Sequence, residues 1–366
     1  MNIVVVGSTG RCGIHEYSRT LVEGFRALGH QARYIGVRRH DNRDLMERIR
    51  EVEEDDDLVI FEYEPGIFWL GGLVRVMGWL RFVRGKRILL SVHEIAPEKY
   101  PEFGRIQHHL ARPVSRRRAR EIGRLLASAG DVVLRFLVMR GALLVMGWLP
   151  HSVLVHSPKG EENVRIALCD ENRIHYVPLI VEPLEGDRDA LREELELPQD
   201  VFAFIIPGFL FRRKRIIDVI KQLPSGAELW VVGTESVYEP GYLEEIEAYL
   251  GRSKKEEHVR LIQDYERMEQ YLMAADAAVL FYTDAYQSGI ASLTVGAGKP
   301  CIFSDLPAFV DLRKAGLTAR TSTELRKAME DIQEPGRYQQ LVANTRALRE
   351  DLSPERVALR YLECKA

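Results

Sequence analysis

Four consecutive cations, Arg212, Arg213, Lys214 and Arg215, follow Gly208 where the apolar run FAFIIP gives way to a helical pattern. Like charges side by side repel, and cations at a helix entry oppose the positive end of its dipole. That cost makes sense where an anion such as a diphosphate is held; the bland alternative is a solvated basic turn. A second candidate lies in FYTDAYQSGIASLTVGAGKPCIFSDLP, residues 281–307. There the strand AAVLF (277–281) enters a small-residue helix, roughly 290–297, through Gln287, Ser288 and Gly289, and Ser292 falls in its first turn. The entry to such a helix offers unpaired backbone N–H groups and a dipole that favours negative charge. Gly289 lets a bulky group approach the backbone closely.

The first half holds groups of a different kind. His93 ends the strand pattern RILLSV and is followed by Glu94. A histidine beside a carboxylate at a strand end can hydrogen-bond a hydroxyl or exchange a proton near a reacting centre. Glu62 and Glu64 in FEYEPG end the preceding strand and are suited to holding hydroxyls by charged hydrogen bonds. Gly7, Gly10 and Gly13 open the first strand-to-helix turn as G-x-x-G-x-x-G, which is not the dinucleotide spacing but still admits a phosphate or sugar against the backbone. Asp55 and Asp57 form a D-x-D inside the acidic run EVEEDDD and read as an exposed charged turn.

The elements that must position these residues alternate regularly. Strands are expected at 2–7, 32–37, 58–63, 87–92, 153–157 and 174–180, with helical patterns such as EYSRTLVEGFRALG between them. VPLIVEPLEGD (177–187) is Pro-rich and interrupts the rhythm, which then restarts with FAFIIPG, ELWVVG, VRLIQ, AAVLF and CIF. Strand–helix alternation implies parallel, doubly wound α/β sheets, and 366 residues suffice for two such domains. The expectation is two Rossmann-like domains facing across a cleft: residues 1–182, residues 183–350, and a terminal amphipathic helix in 351–366 packing back on the first. Ligands of such sheets sit at the carboxyl ends of the strands, where the Gly-bearing loops above fall.

Composition narrows the partners. A formal charge of −3 argues against nucleic acid. Cys12, Cys169, Cys301 and Cys364 are scattered, form no metal-binding spacing and fit a reducing compartment. The chain enters a strand at Asn2 and carries no apolar run long enough to span a bilayer, so a cytoplasmic location is expected. Two stretches, 66–87 and 108–150, mix arginines with aromatic and aliphatic residues, a composition suited to peripheral contact with the inner face of an anionic membrane. The competing reading is core helices with solvated arginines.

The segments GRCGIHEYSRTLVEGFRALGH, FEYEPGIF, SVHEI, VLVHS, GFLFRRKR and QSGIASLTVGAGKPCIFSD, in this order, make the chain resemble glycosyltransferase family 4, retaining enzymes of GT-B fold. The resemblance spans nearly the whole sequence, and its more specific parts are CGI-x-EYSR-x-L and QSG-x8-GKP. It implies hexosyl transfer from a nucleotide-sugar donor on the second domain to a glycan or lipid-linked acceptor on the first, without cofactor or metal ion. On that reading Lys214, with Arg212 or Arg213, neutralises the leaving diphosphate, and Gly208, Gln287, Ser288, Gly289 and Ser292 line the donor site. His93 matches the acceptor-side histidine near the anomeric carbon, Gly13 lies in the loop over the donor, and Glu62, Glu64 and Glu94 fall on the acceptor side.

The chain departs from the family in two places. Many members carry two glutamates eight apart; here Gln287 stands near the first position, and the second falls among Leu293–Val295, none acidic. Ribose binding then passes to Ser292, Thr294 or another group. Phe209 follows Gly208 where the family often has arginine. A non-catalytic nucleotide- or sugar-binding protein of the same fold, and a nucleotide-sugar epimerase, are the alternatives these departures leave.

Overall fold

The computed structural model describes the chain except for residues 11, 65–66, 69, 94–140, 142, 169–170, 254 and 365–366. It forms two compact units, Met1–Val177 with Ala358–Ala366, and Pro178–Val357.

The first unit is built on β1 (Asn2–Ser8), β2 (Gln31–Val37), β3 (Leu58–Tyr63), β4 (Arg87–Val92), β5 (Ser152–Val155) and β6 (Ile174–Tyr176). They form one parallel sheet in the order β2-β1-β3-β4-β5-β6. β1, β3 and β4 are near-continuous apolar runs because both faces of the sheet are covered. Val59, Phe61 and Tyr63 join one core cluster with Ile88, Leu90 and Val92. Alternation turns Glu62 and Ser91 to the opposite face, and the two residues are register partners across β3 and β4. That face is where Phe25 of the helix Gly13–Ala27 meets Tyr361 of the helix Pro354–Glu363, ring centroids 6.3 Å apart.

The second unit carries β7 (Phe202–Pro207), β8 (Ala227–Val232), β9 (Val259–Ile262), β10 (Ala277–Leu280), β11 (Cys301–Ser304) and β12 (Gly316–Ala319). These are parallel in the order β12-β11-β10-β7-β8-β9. Phe204 and Ile206 pack into one core cluster and Ala203 and Ile205 into another, so this sheet too is buried on both faces. The edge strand β12 was not expected from the sequence; GLTA is too short and too weakly apolar to signal itself. Strand order reverses between β1 and β3 in the first sheet and between β7 and β10 in the second. Such reversals splay the flanking loops apart at the carboxyl ends and open a ligand crevice there.

Candidate functional site

In the second unit, both loops at the point of reversal carry the residues singled out above. After β7 the chain turns at Gly208, whose φ of +89° suits glycine. A Cβ there would lie 3.0 Å from Ile290 Cδ1 and 3.2 Å from Lys214 Nζ. A short 3₁₀ turn, Arg212–Lys214, then leads through Arg215 in the left-handed region into the helix Ile216–Gln222. The turn aims Lys214 inward: it is buried, and its ammonium donates to the Pro207 carbonyl at 2.6 Å. Burial, with Arg213 adding to it, pushes Lys214 down to about 7. Arg213 lies over the Phe211 ring at 5.0 Å, and its carbonyl accepts from Thr283 N at 2.8 Å, tying this loop to the one after β10. Among the described residues neither Lys214 nor Arg213 has a carboxylate partner.

Arg212 points elsewhere. Its backbone N–H donates to Glu239 at 2.7 Å, its guanidinium binds Glu245, and it sits over the Tyr242 ring. Of the two arginines the resemblance left open, Arg213 is the one beside Lys214. In the loop after β10, Ser288 caps the helix Gly289–Gly296, accepting from Ala291 N at 3.2 Å. Gly289 is exposed, with nothing within 4 Å of where a Cβ would stand. Gln287 is half-buried beside the cap, and Ser292 is buried with its Oγ unpartnered among the described residues.

In the first unit the structure gathers a buried polar cluster at the ends of β3, β4 and β5. Glu62, Ser91, His93 and His156 are all buried there. Glu62 Oε2 lies 2.6 Å from His93 Nε2 and 2.5 Å from Ser91 Oγ. Ser91 Oγ is also 2.8 Å from His156 Nε2 and 3.0 Å from the Tyr361 hydroxyl, which is itself 3.0 Å from the Tyr17 hydroxyl. His156 Nδ1 lies 2.8 Å from the Val177 carbonyl. Burial raises Glu62 to about 7 and lowers His93 and His156 to about 3. It also raises both tyrosines.

Glu62, His93 and His156 offer three donor atoms within 4.8 Å of one another, a set chemically able to hold a divalent cation. The spacings, however, are those of hydrogen bonds, and Ser91 Oγ stands between Glu62 and His156. Glu62 is fully buried, with Oε2 within hydrogen-bond distance of His93 and Ser91 and Oε1 3.5 Å from the Tyr361 hydroxyl.

Gly13, exposed, opens the first helix, and Glu64 follows β3 half-buried. Glu94 and residues 108–140 lie outside the described residues. Asp55 and Asp57 are exposed and bind Asn2 at the amino ends of the strands, away from these clusters. Sequence reasoning gave no role to Ser91, His156, Tyr17 or Tyr361. A signal existed for two: Ser91 is a polar residue inside an apolar strand, and His156 ends VLVH as His93 ends LLSVH.

No protein-family model matches the sequence, and no curated protein does. Solved structures do. Anabaena Alr3699/HepE in complex with UDP aligns over 99% of this chain and 99% of its own, with TM-score 0.68 and 14% identity. The catalytic domain of starch synthase IV from Arabidopsis thaliana, bound to ADP and acarbose, aligns over 100% and 98%, with TM-score 0.67 and 14% identity. Sucrose-phosphate synthase from Thermosynechococcus elongatus gives 99%, 98%, 0.64 and 16%. The fold is that of the GT-B glycosyltransferases. HepE has also been solved with UDP-glucose, and with UDP and glucose together. In this GT-B chain the two clusters fall one in each Rossmann-like unit.

The described parts of the basic, aromatic stretches expose an apolar patch on the first unit. Phe82 and Val83, at the end of the helix Leu70–Phe82, are 62% and 69% exposed, and Trp148 is 56% exposed. Phe82 and Trp148 lie 5.7 Å apart, with the Arg81 guanidinium over both rings. Among the described residues no helix is long and apolar enough to cross a membrane.

Proposed function

We propose that this chain is a retaining glycosyltransferase that moves a sugar from a nucleotide sugar to a glycan or lipid-linked acceptor. Lys214 and Arg213 would neutralise the leaving diphosphate in place of a metal ion. One observation carries the reading: a buried ammonium and a neighbouring guanidinium, at the sheet's point of reversal, without a carboxylate partner among the described residues. Burying a charge without a counter-charge is costly, and a diphosphate supplies two. In the donor the sugar C1–O bond breaks and charge develops on the β-phosphate; fixed cations aimed at that oxygen stabilise the transition state more than the ground state. The capped start of Gly289–Gly296 adds backbone N–H groups for the same phosphates. Buried Ser292 Oγ is the candidate for a donor hydroxyl.

His93 serves the acceptor side, in the first unit, as a neutral imidazole, because its burial opposes protonation. The Phe82–Trp148 patch with Arg81 is suited to rest on an anionic bilayer and bring the chain to a lipid-linked acceptor at the inner membrane face.

The test is thermal-shift screening against UDP, GDP and ADP sugars, followed by nucleoside diphosphate release with an acceptor mixture. One nucleotide class should raise the midpoint by mass action, and turnover should vanish in Lys214→Ala with the fold intact. Failure of every nucleotide sugar to bind would overturn the reading.

A further inference from the structure

The buried cluster of the first unit can be assigned proton by proton. The Val177 carbonyl can only accept, so His156 Nδ1 carries a hydrogen. If His156 is neutral, its Nε2 is a bare lone pair and must accept from Ser91 Oγ at 2.8 Å. Serine has one hydroxyl hydrogen, and it is then spent. Yet Ser91 Oγ and Glu62 Oε2 lie 2.5 Å apart, a distance two oxygens adopt only with a proton between them. That proton belongs to Glu62. The Tyr361 hydroxyl, 3.0 Å from Ser91 Oγ and a longer 3.5 Å from Glu62 Oε1, donates to the remaining lone pair of the nearer oxygen and accepts in turn from Tyr17 at 3.0 Å. His93 Nε2, 2.6 Å from Glu62 Oε2, donates to the protonated carboxyl.

We infer that Glu62 is a neutral carboxylic acid and a positioning residue, which fixes His93 in the tautomer with hydrogen on Nε2 and the lone pair on Nδ1. The one other arrangement with the same proton count makes Glu62 a carboxylate and His156 an imidazolium. It places two opposite charges in a site sealed from water, where burial favours the neutral pair. The titratable groups facing Glu62 are His93 and His156 from the strand ends, Tyr17 from the first helix, Tyr34 from β2 and Tyr361 from the terminal helix. No described lysine or arginine is among them. Tyr361 makes the end of the chain part of this network, so the terminal helix holds the His93 tautomer as well as packing against Phe25.

The proton assignment stands by itself; its effect on turnover rests on the glycosyltransferase reading. The full chain, labelled with ¹⁵N-histidine, is measured by NMR between pH 5 and 8, and its carboxylic C=O stretch is followed by difference infrared spectroscopy. Two non-titrating neutral imidazoles are expected, one Nε2–H (His93) and one Nδ1–H (His156), with an acid C=O band that is present at the acid end of this range and missing from Glu62→Gln. An imidazolium at His156 at neutral pH, the absence of that band, or a stoichiometric metal ion on the two histidines would overturn the inference. Glutamine carries no titratable proton, and no single amide atom can both donate to Ser91 and accept from His93, so Glu62→Gln should disturb the His93 tautomer with loss of turnover. What turnover remains should lack the wild type's inflection near pH 7, and Tyr361→Phe should shift that inflection. If spectroscopy succeeds while no nucleotide sugar binds, the assignment stands and the functional reading falls.

Discussion

Binding of a nucleotide sugar should draw a proton onto Lys214. In the free protein this lysine titrates at about 7, below its ordinary 10.5, because it is buried with a carbonyl as partner and Arg213 nearby. A diphosphate beside it restores the higher value. At pH 8 the free lysine is roughly one-tenth protonated and the bound one fully so, an uptake of about 0.9 proton; at pH 7 it is about 0.5 and at pH 6 about 0.1. The sign follows: affinity weakens as pH rises above 7, by about tenfold per unit, or about 1.4 kcal/mol. A sugar nucleotide is the right ligand, since its diphosphate is a diester whose charge is fixed over this range. Calorimetry in buffers of different ionisation enthalpy reads the uptake directly. Lys214→Met should abolish it and weaken binding. Uptake unchanged in that variant, or none at pH 8, would exclude Lys214 as the group that takes up the proton. The same shift makes the ligand-free protein more stable as pH rises from about 7 towards 10.5, where only the unfolded chain holds the proton.

Gly208→Ala forces a Cβ against Ile290 and Lys214 at a φ of +89° and should cost about 1–3 kcal/mol in denaturant midpoint, with loss of nucleotide binding; an unchanged midpoint contradicts this. Ser288→Ala removes the cap on the helix Gly289–Gly296 and should cost about 1 kcal/mol in the same assay. Acid should destabilise the chain: between pH 6.5 and 4.5 His93 and His156 stay neutral while the unfolded chain protonates both, and Glu62 holds one extra proton in opposition. Two less one leaves about 1.4 kcal/mol lost per pH unit, and His156→Gln should flatten that slope. Phe82→Ser with Trp148→Ser should abolish co-sedimentation with anionic vesicles while leaving neutral-vesicle binding and stability unchanged; retention by anionic vesicles speaks against the patch.

The strands were legible because parallel sheets covered on both faces need continuous apolar runs, and NIVVVG, LVIFEY and FAFIIP are such runs. β12 was not, since an edge strand of four residues is held by one neighbour and needs little hydrophobicity of its own. Gly208 and Ser288 announced their loops through backbone requirements, which are local and so visible in sequence. Which arginine accompanies Lys214 was not visible: a 3₁₀ turn and the carboxylates Glu239 and Glu245, distant in sequence, take Arg212 away. The Glu62 cluster was hidden for the same reason. Its members come from the first helix, three strand ends and the terminal helix, and only the fold makes them neighbours.

Donor binding as proposed requires Lys214 and Arg213 to grip a diphosphate, and a crystal structure with a bound nucleoside diphosphate shows whether they do. β-Phosphate oxygens are expected at about 3 Å from Lys214 Nζ and the Arg213 guanidinium, over the start of Gly289–Gly296. Phosphates bound elsewhere, with Lys214 still on the Pro207 carbonyl alone, would contradict it.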